Sequence, residues 1–367
     1  MTSRARSADE PVDRRPLRIG LIGGGPATAE HLDAWSRCEG ARVLAVVDSG
    51  SERVRSSTGG AATYGSPEAM LAGEALDAVD IVAPRESRAD WVRLASRHGV
   101  DVLCERPLCP TLADAQSLLR EVGDAVRVMV NENRRFRAYY QRIADWLRED
   151  RLGTVVQARI ASWRSSMLPG VDGKIASLER QPFLAREERV LIAESLIHEL
   201  DVARSLFGEL EVIACTTGKA TSHIVGEDCA TIVLRTPYGL TVTIDGVMSA
   251  AGHGVRAPDR VEIAGTRCSV ILEDATLRLL GAEEETHRYD EAEVRQRCFD
   301  DAIQHFADQL RGGGPFWTSA QDQLATMRLM EQAYELADSA PSLGPTRLPP
   351  IAPPDFARRD ALQDTNP

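Results

Sequence analysis

The chain has 367 residues, 43% of them hydrophobic and 27% charged, a globular composition too long for one small core, so two domains are expected. A net charge of −12 argues against nucleic acid or an anionic membrane as partner, and no apolar run approaches the roughly 18–20 residues that span a bilayer. Seven cysteines without CxxC pairing, most of them inside apolar runs, read as reduced thiols of a cytoplasmic protein.

Residues 1–16, charged and without an apolar stretch, read as a disordered arm. From Leu17 strands and helices alternate. "LRIGLIGG" is a strand followed by a helix to Ser36; "ARVLAVVD" is a second strand ending at Asp48. "LDAVDIVAP" stops at Pro84, "GVDVLCERP" stops at Pro107, and "AVRVMVNEN" is a fifth. Strands apolar on both faces and separated by helices predict a parallel, doubly wound Rossmann sheet over residues 17–133. The pattern then changes. A helix in "YYQRIADWLRED" stripes Tyr140, Ile143, Trp146 and Leu147 and points to Gly153 as its C-cap. "TVVQARIASW", "CATIVLRT", "LTVTIDG" and "DRVEIAG" alternate with period two, which predicts an open, mostly antiparallel sheet in a second α/β domain over 134–344. Two helices close it, one striping Ile303, Phe306 and Leu310, the other capped by Ser319 and striping Leu324, Met327, Met330 and Tyr334. Residues 345–367 read as an extended tail.

"GLIGGGPATAEH" places Gly23, Gly25 and Thr28 at the positions of G-x-G-x-x-G/A, after a strand and at the opening of a helix. Asp48 closes the second strand, where an acid receives the adenosine ribose. Gly23 permits the tight turn, Gly25 lets backbone approach a pyrophosphate, and the helix N-terminus offers free N–H groups. Thr28 is bulkier than the pattern asks, so a slightly displaced turn is expected. Asp48 favours NAD over NADP, although Arg53 lies close by.

With these residues in place, the chain resembles the glucose–fructose oxidoreductase/inositol dehydrogenase (Gfo/Idh/MocA) family from Leu17 to about Gly344. "RIGLIGGGPATAEH" with His31, "CERPL", "NENRRF", "ESLIHELDVARSLFG" and the helical ending carry the resemblance. It implies a Rossmann domain, a nicotinamide cofactor, a polyol, sugar or cyclitol substrate, and homo-oligomers (dimers or tetramers) built on the open sheet. The cofactor candidates are then Gly23, Gly24, Gly25, Pro26, Ala27, Asp48, Pro84 and Glu105. The catalytic candidates are His198, Arg106 and Glu194, and the substrate-binding candidates are Asp201, Arg135, Arg88 and Lys174. No metal is expected.

Alcohol oxidation needs a base and a positive group beside the developing alkoxide. His198 titrates near neutrality and is the candidate base. Glu194, at i−4 on the same face, is free to orient the imidazole, stabilise its charged form or bind substrate hydroxyls. Arg106 stands where the resemblance puts lysine. A guanidinium stays charged, so it can polarise or bind an anion but not serve as base; the alternative is a plain ion pair, for instance with Glu105. Arg85 and Arg88 stand where the family has asparagine and histidine. Arginine at all three places suggests either an anionic substrate or lost redox chemistry in a redox-silent or redox-neutral relative. The segment 165–189 is expected to shape the substrate pocket, with Lys174 as a mobile amine or simply part of a solvated loop.

Overall fold

The computed structural model describes residues 15–25, 27–47, 60–256 and 258–339. The first sheet has the strand order β3-β2-β1-β4-β5-β6 and is parallel throughout. Its strands are β1 (Leu17–Gly23), β2 (Ala41–Val47), β3 (Ala62–Tyr64), β4 (Ala78–Val82), β5 (Asp101–Cys104) and β6 (Val128–Val130). β4 is buried at every residue, as expected where helices cover both faces. Those helices include α1 (Ala27–Arg37), α2 (Pro67–Gly73), α3 (Arg85–His98) and α4 (Leu112–Val122). β3 was not foreseen: three residues are too few to show a period.

The chain leaves β6 through one 3-10 turn at Asn133–Phe136 and enters α5 (Ala138–Arg148). Glu149, not Gly153, caps this helix. Asp150 takes the left-handed conformation first, at φ 56°, so the turn is complete before Gly153 is reached.

The second sheet has the order β14-β13-β12-β11-β7-β10-β9-β8. It runs through β7 (Val155–Trp163), β8 (Glu211–Gly218), β9 (Cys229–Arg235), β10 (Thr241–Val247), β11 (Arg260–Gly265), β12 (Cys268–Glu273), β13 (Thr276–Gly281) and β14 (Glu285–Arg288). Only the β7–β10 pair is parallel; the others are antiparallel. In β10 the buried residues Val242, Ile244 and Gly246 alternate with half-buried Thr241, Thr243 and Asp245. The inner set packs under α7 (Ile197–Phe207), while the outer set faces no helix among the described residues.

Short α6 (Ala176–Arg180) lies in the excursion between β7 and α7. The last helices, α8 (Glu291–Gly312) and α9 (Ala320–Ser339), do not stay with the second sheet as their sequence position suggested. Ile303 and Phe306 of α8 share a core with Ile19, Leu21 and Trp35. Ala320, Leu324 and Met327 of α9 join the core of the first sheet, while Met330, Ala333 and Tyr334 join that of the second. One continuous apolar stripe therefore fastens both sheets together. All seven cysteines are free, and no helix among the described residues is long and apolar enough to cross a membrane.

Candidate active site

The strand order reverses between β1 and β4, and a parallel sheet presents its loops at the carboxyl edge of such a switch point. There Gly23 ends β1, Pro84 follows β4, Glu105 and Arg106 follow β5, and Asn131 and Glu132 follow β6. The chain turns from β1 into α1 with the Thr28 amide donating to the Gly25 carbonyl, 3.1 Å. A Cβ on Gly23 would stand 2.9 Å from the Val82 carbonyl oxygen and 3.0 Å from Thr28 Oγ1, so only glycine fits. Thr28 is fully buried against this glycine, which accommodates the bulk that had suggested a displaced turn. A Cβ on Gly25 would meet nothing within 4 Å, and Glu30 Oε2 in the first turn of α1 is buried without a partner. Open space over a bare backbone at a helix N-terminus fits a dinucleotide's phosphates. Gly23, Gly24, Gly25 and Ala27 would line that cradle. Pro26, Asp48 and Arg53 lie outside the described residues.

Glu105 faces away from this cradle, into the sheet. Its Oε1 accepts from Asn131 Nδ2 (2.8 Å) and bonds His31 Nε2 (2.9 Å), while His31 Nδ1 bonds Asp80 Oδ2 (2.8 Å). Trp35 Nε1 donates to the same Asp80 oxygen (2.7 Å). Burial alone would strip the charge from His31, yet the two carboxylates outweigh it and raise the group from 6.5 to about 10. Burial likewise pushes Glu105 upward, but its bond to His31 dominates and brings it down to about 2. His31 is thus an imidazolium between two carboxylates, and Glu105 is fixed directly before Arg106.

The Arg106–Pro107 peptide is cis. Arg88 is buried, with Nε donating to the Ala83 carbonyl (2.8 Å) and Nη1 to the Pro107 carbonyl (2.6 Å). It ties the end of β4 to the turn after β5, so its guanidinium is occupied by backbone carbonyls. Arg106 pairs not with Glu105 but with Glu194, Nη1 to Oε2 at 3.7 Å. Glu194 also accepts from Arg85 Nη1 (2.9 Å), and Arg85 pairs further with Glu187. Arg85 is therefore a bound member of the site and not a solvated helix-start residue.

A π-helical turn, Ile192–Leu196, delivers Glu194 and leads into α7 with His198 in its first turn. Such insertions are frequent at functional sites. His198 Nδ1 bonds Glu132 Oε2 at 2.9 Å. Orientation of the imidazole thus falls to Glu132, while Glu194 is held by the arginines. Glu132 is 1% exposed, and Gln323 Nε2 donates to its other oxygen at 3.2 Å. Burial, then the charges of Arg106, Arg134, Arg137 and Arg164, hold His198 well below its ordinary 6.5. The imidazole is neutral at working pH. Burial, with Asp201 adding repulsion, likewise raises Glu132 well above its ordinary 4.5, so the pair shares its protons. The tautomer with the proton on Nδ1, bonded to Glu132, is the one that leaves the Nε2 lone pair facing outward. The two histidines are thus driven in opposite directions, because His31 is clamped by carboxylates and His198 is ringed by guanidiniums.

Asp201 and Arg135 lie elsewhere. Arg135 Nε and Nη2 both donate to Asp201 at 2.5 Å, and Nη2 also donates to Asp322 on α9 at 2.5 Å. Asp201 is 1% exposed and accepts from Thr326. This forked, buried pair joins α7 to α9 and commits both side chains to contacts within the fold. Lys174 is exposed on the 165–189 excursion and pairs with Glu179 at 3.3 Å; its ammonium is a surface group. Glu132 escaped the sequence reading because it is 66 residues from His198. Its position just past the end of β6, on the edge that gathers ligands, was the available signal.

Residues 17–132 match the model of an oxidoreductase family with an NAD-binding Rossmann fold. Residues 140–271 match the GFO/IDH/MocA C-terminal domain. A D-apiose dehydrogenase of Paraburkholderia graminis is 33% identical over 336 residues, covering 86% of each chain. An inositol 2-dehydrogenase of Rhizobium meliloti is 25% identical over 339 residues, covering 86% of this chain and 96% of its own. Among solved structures, an oxidoreductase from Agrobacterium radiobacter in complex with NAD+, L-tartaric acid and magnesium superposes with a TM-score of 0.80 at 28% identity. That superposition covers 88% of this chain and 96% of the other.

Proposed function

The chain belongs to the GFO/IDH/MocA oxidoreductase family, with an NAD-binding Rossmann domain, and from that premise we propose that it dehydrogenates a hydroxylated small molecule of the sugar or cyclitol class. The D-apiose and inositol dehydrogenases among its relatives support that class. Bound NAD supplies the hydride acceptor. His198 Nε2 takes the hydroxyl proton, Glu132 holds the imidazole through Nδ1, and Arg106 stabilises negative charge developing on the alcohol oxygen. Glu194 positions Arg106. Arginine cannot release a proton, so proton transfer rests on His198 alone. The observation carrying this reading is the His198 imidazole held through Nδ1 by Glu132 at 2.9 Å, in the field of an Arg106 whose guanidinium pairs with Glu194 at 3.7 Å.

The test mixes purified protein with NAD and a panel of pentoses, hexoses, inositols and their acids. Reduced-nicotinamide absorbance should grow with at least one of them. Turnover without net reduction would replace this reading with redox-neutral chemistry, and binding without turnover would replace it with nucleotide sensing. We also propose that the uncovered face of the second sheet joins copies of the chain.

A further inference from the structure

Of the guanidiniums around His198, two are already neutralised. Arg134 donates to Glu199, and Arg137 donates to Asp259 at 2.6 Å. Among the described residues Arg106 pairs only with Glu194, at 3.7 Å and shared with Arg85, and its Nη1 is buried without a hydrogen-bond partner. Arg164 has no carboxylate partner among the described residues, and its Nε is also buried and unpartnered.

The fold brings Arg164 to the site. Ala158, Ile160 and Ser162 point inward from β7, and the alternation carries Arg164 to the same side. Ser162 is in register with Gly246 of β10, and Leu196 Cδ2 lies 2.7 Å from where a Cβ on Gly246 would stand. Leu196 precedes His198 by two residues, so Arg164 emerges beneath the turn that carries the imidazole. Arg180, at the end of α6, forms the outer side. It is exposed, has no ion pair among the described residues, and lies within electrostatic reach of Arg106 and Arg164. Burial, with Arg134, Arg180 and Arg106 adding repulsion, lowers Arg164 to about 10. Of the carboxylates in range, Glu199 pairs with Arg134 through Oε1 and acts on Arg164 only through space, Glu194 serves Arg85 and Arg106, and Glu30 likewise reaches Arg180 only through space.

Arg164 and Arg180 form no ion pair among the described residues and repel each other and Arg106, and a bound anion would relieve that cost. Guanidiniums in particular match the paired oxygens of a carboxylate or phosphate. We propose that Arg164 and Arg180, with Arg106 adjoining, form a subsite for an oxyanion carried by the substrate, a carboxylate or a phosphate ester, while the hydroxyl to be oxidised sits at His198. This rests on the dehydrogenase reading above and narrows its substrate to an acidic polyol or sugar.

The test is calorimetric titration of the full-length, NAD-loaded protein with matched compounds: D-glucitol, D-gluconate and D-glucitol 6-phosphate, then erythritol, erythronate and erythritol 4-phosphate. A charged member should bind at least about tenfold more tightly than its neutral parent, and whichever anion gains more identifies the group. Arg164→Met should cut that preference by about ten- to a hundredfold, the range for hydrogen bonds to charged groups, and leave NAD affinity unchanged. Arg180→Met, at an exposed position, should cut it severalfold and serves if Arg164→Met fails to fold. No preference in either set overturns the subsite. So does an equal loss of NAD affinity in Arg164→Met, which would assign the arginines to the cofactor. Binding is read independently of NAD reduction, so an acid preference with no reduction would sink the dehydrogenase reading and leave the subsite. Reduction with neutral polyols alone would do the reverse.

Discussion

A guanidinium at position 106 keeps its charge at every working pH, so the proton must move through His198. The chain holds only two lysines, Lys174 and Lys219, among 43 lysine and arginine residues. Arginine at 106 therefore follows a bias of the whole chain and is a weak sign of lost chemistry. His198→Gln should lower kcat by about 10²- to 10⁴-fold, the usual worth of a general base. Arg106→Lys, which keeps the charge, should stay within about tenfold. Initial rates of NAD reduction check both, and a smaller loss in His198→Gln than in Arg106→Lys would remove His198 as the base. That His198, Arg106 and Glu194 come together was legible because their spacing and their neighbours in sequence match a family pattern. Their bonding was not. Helical spacing pointed Glu194 at His198, but two guanidiniums claim its carboxylate, and Glu132 reaches the imidazole from a different strand. Asp201 and Arg135 look like substrate groups in sequence because nothing local shows that Asp322 and Thr326 lie opposite them.

Among the elements, the strands of the first sheet were readable from unbroken apolar runs, and those of the second from alternation. Short β3 and the grouping of α8 and α9 were not, because cores form in space and not by position in the chain. The outer face of the second sheet carries Gln157, Arg159, Thr231, Thr243 and Asp245, with Arg159 Nε donating to Asp245 at 2.8 Å and Thr231 Oγ1 donating to it at 2.9 Å. No helix covers it. A broad, flat sheet face of this kind suits an isologous contact between copies. Sedimentation should therefore give the mass of two or four chains, and Thr243→Arg should shift it toward one. A single-chain mass at all concentrations would end the proposal of self-association through this face.

Across the whole molecule, the site exists only because two halves meet. The nucleotide sheet supplies the cradle, Arg106 and Glu132. The second half supplies Glu194, His198 and Arg164 on one π turn, one helix and one strand end. Arg135, Asp201, Asp322 and Arg204, with Arg204 Nη2 donating to Asp322 at 2.9 Å, lock that helix to α9, whose stripe fastens both cores. Residues so held keep the imidazole within reach of the cations that depress its pKa. The dependence of kcat/KM on pH for the native chain and Arg106→Met tests this arrangement most directly. A base is active when unprotonated, and His198 is held well below 6.5 by burial and then by Arg106. The native profile should therefore be flat from about pH 6.5 upward, falling only at lower pH. Removing the charge at 106 should move that fall to higher pH. A native profile that still climbs above pH 7, or an acid limb unmoved by Arg106→Met, would contradict the pairing of a neutral imidazole with a fixed cation.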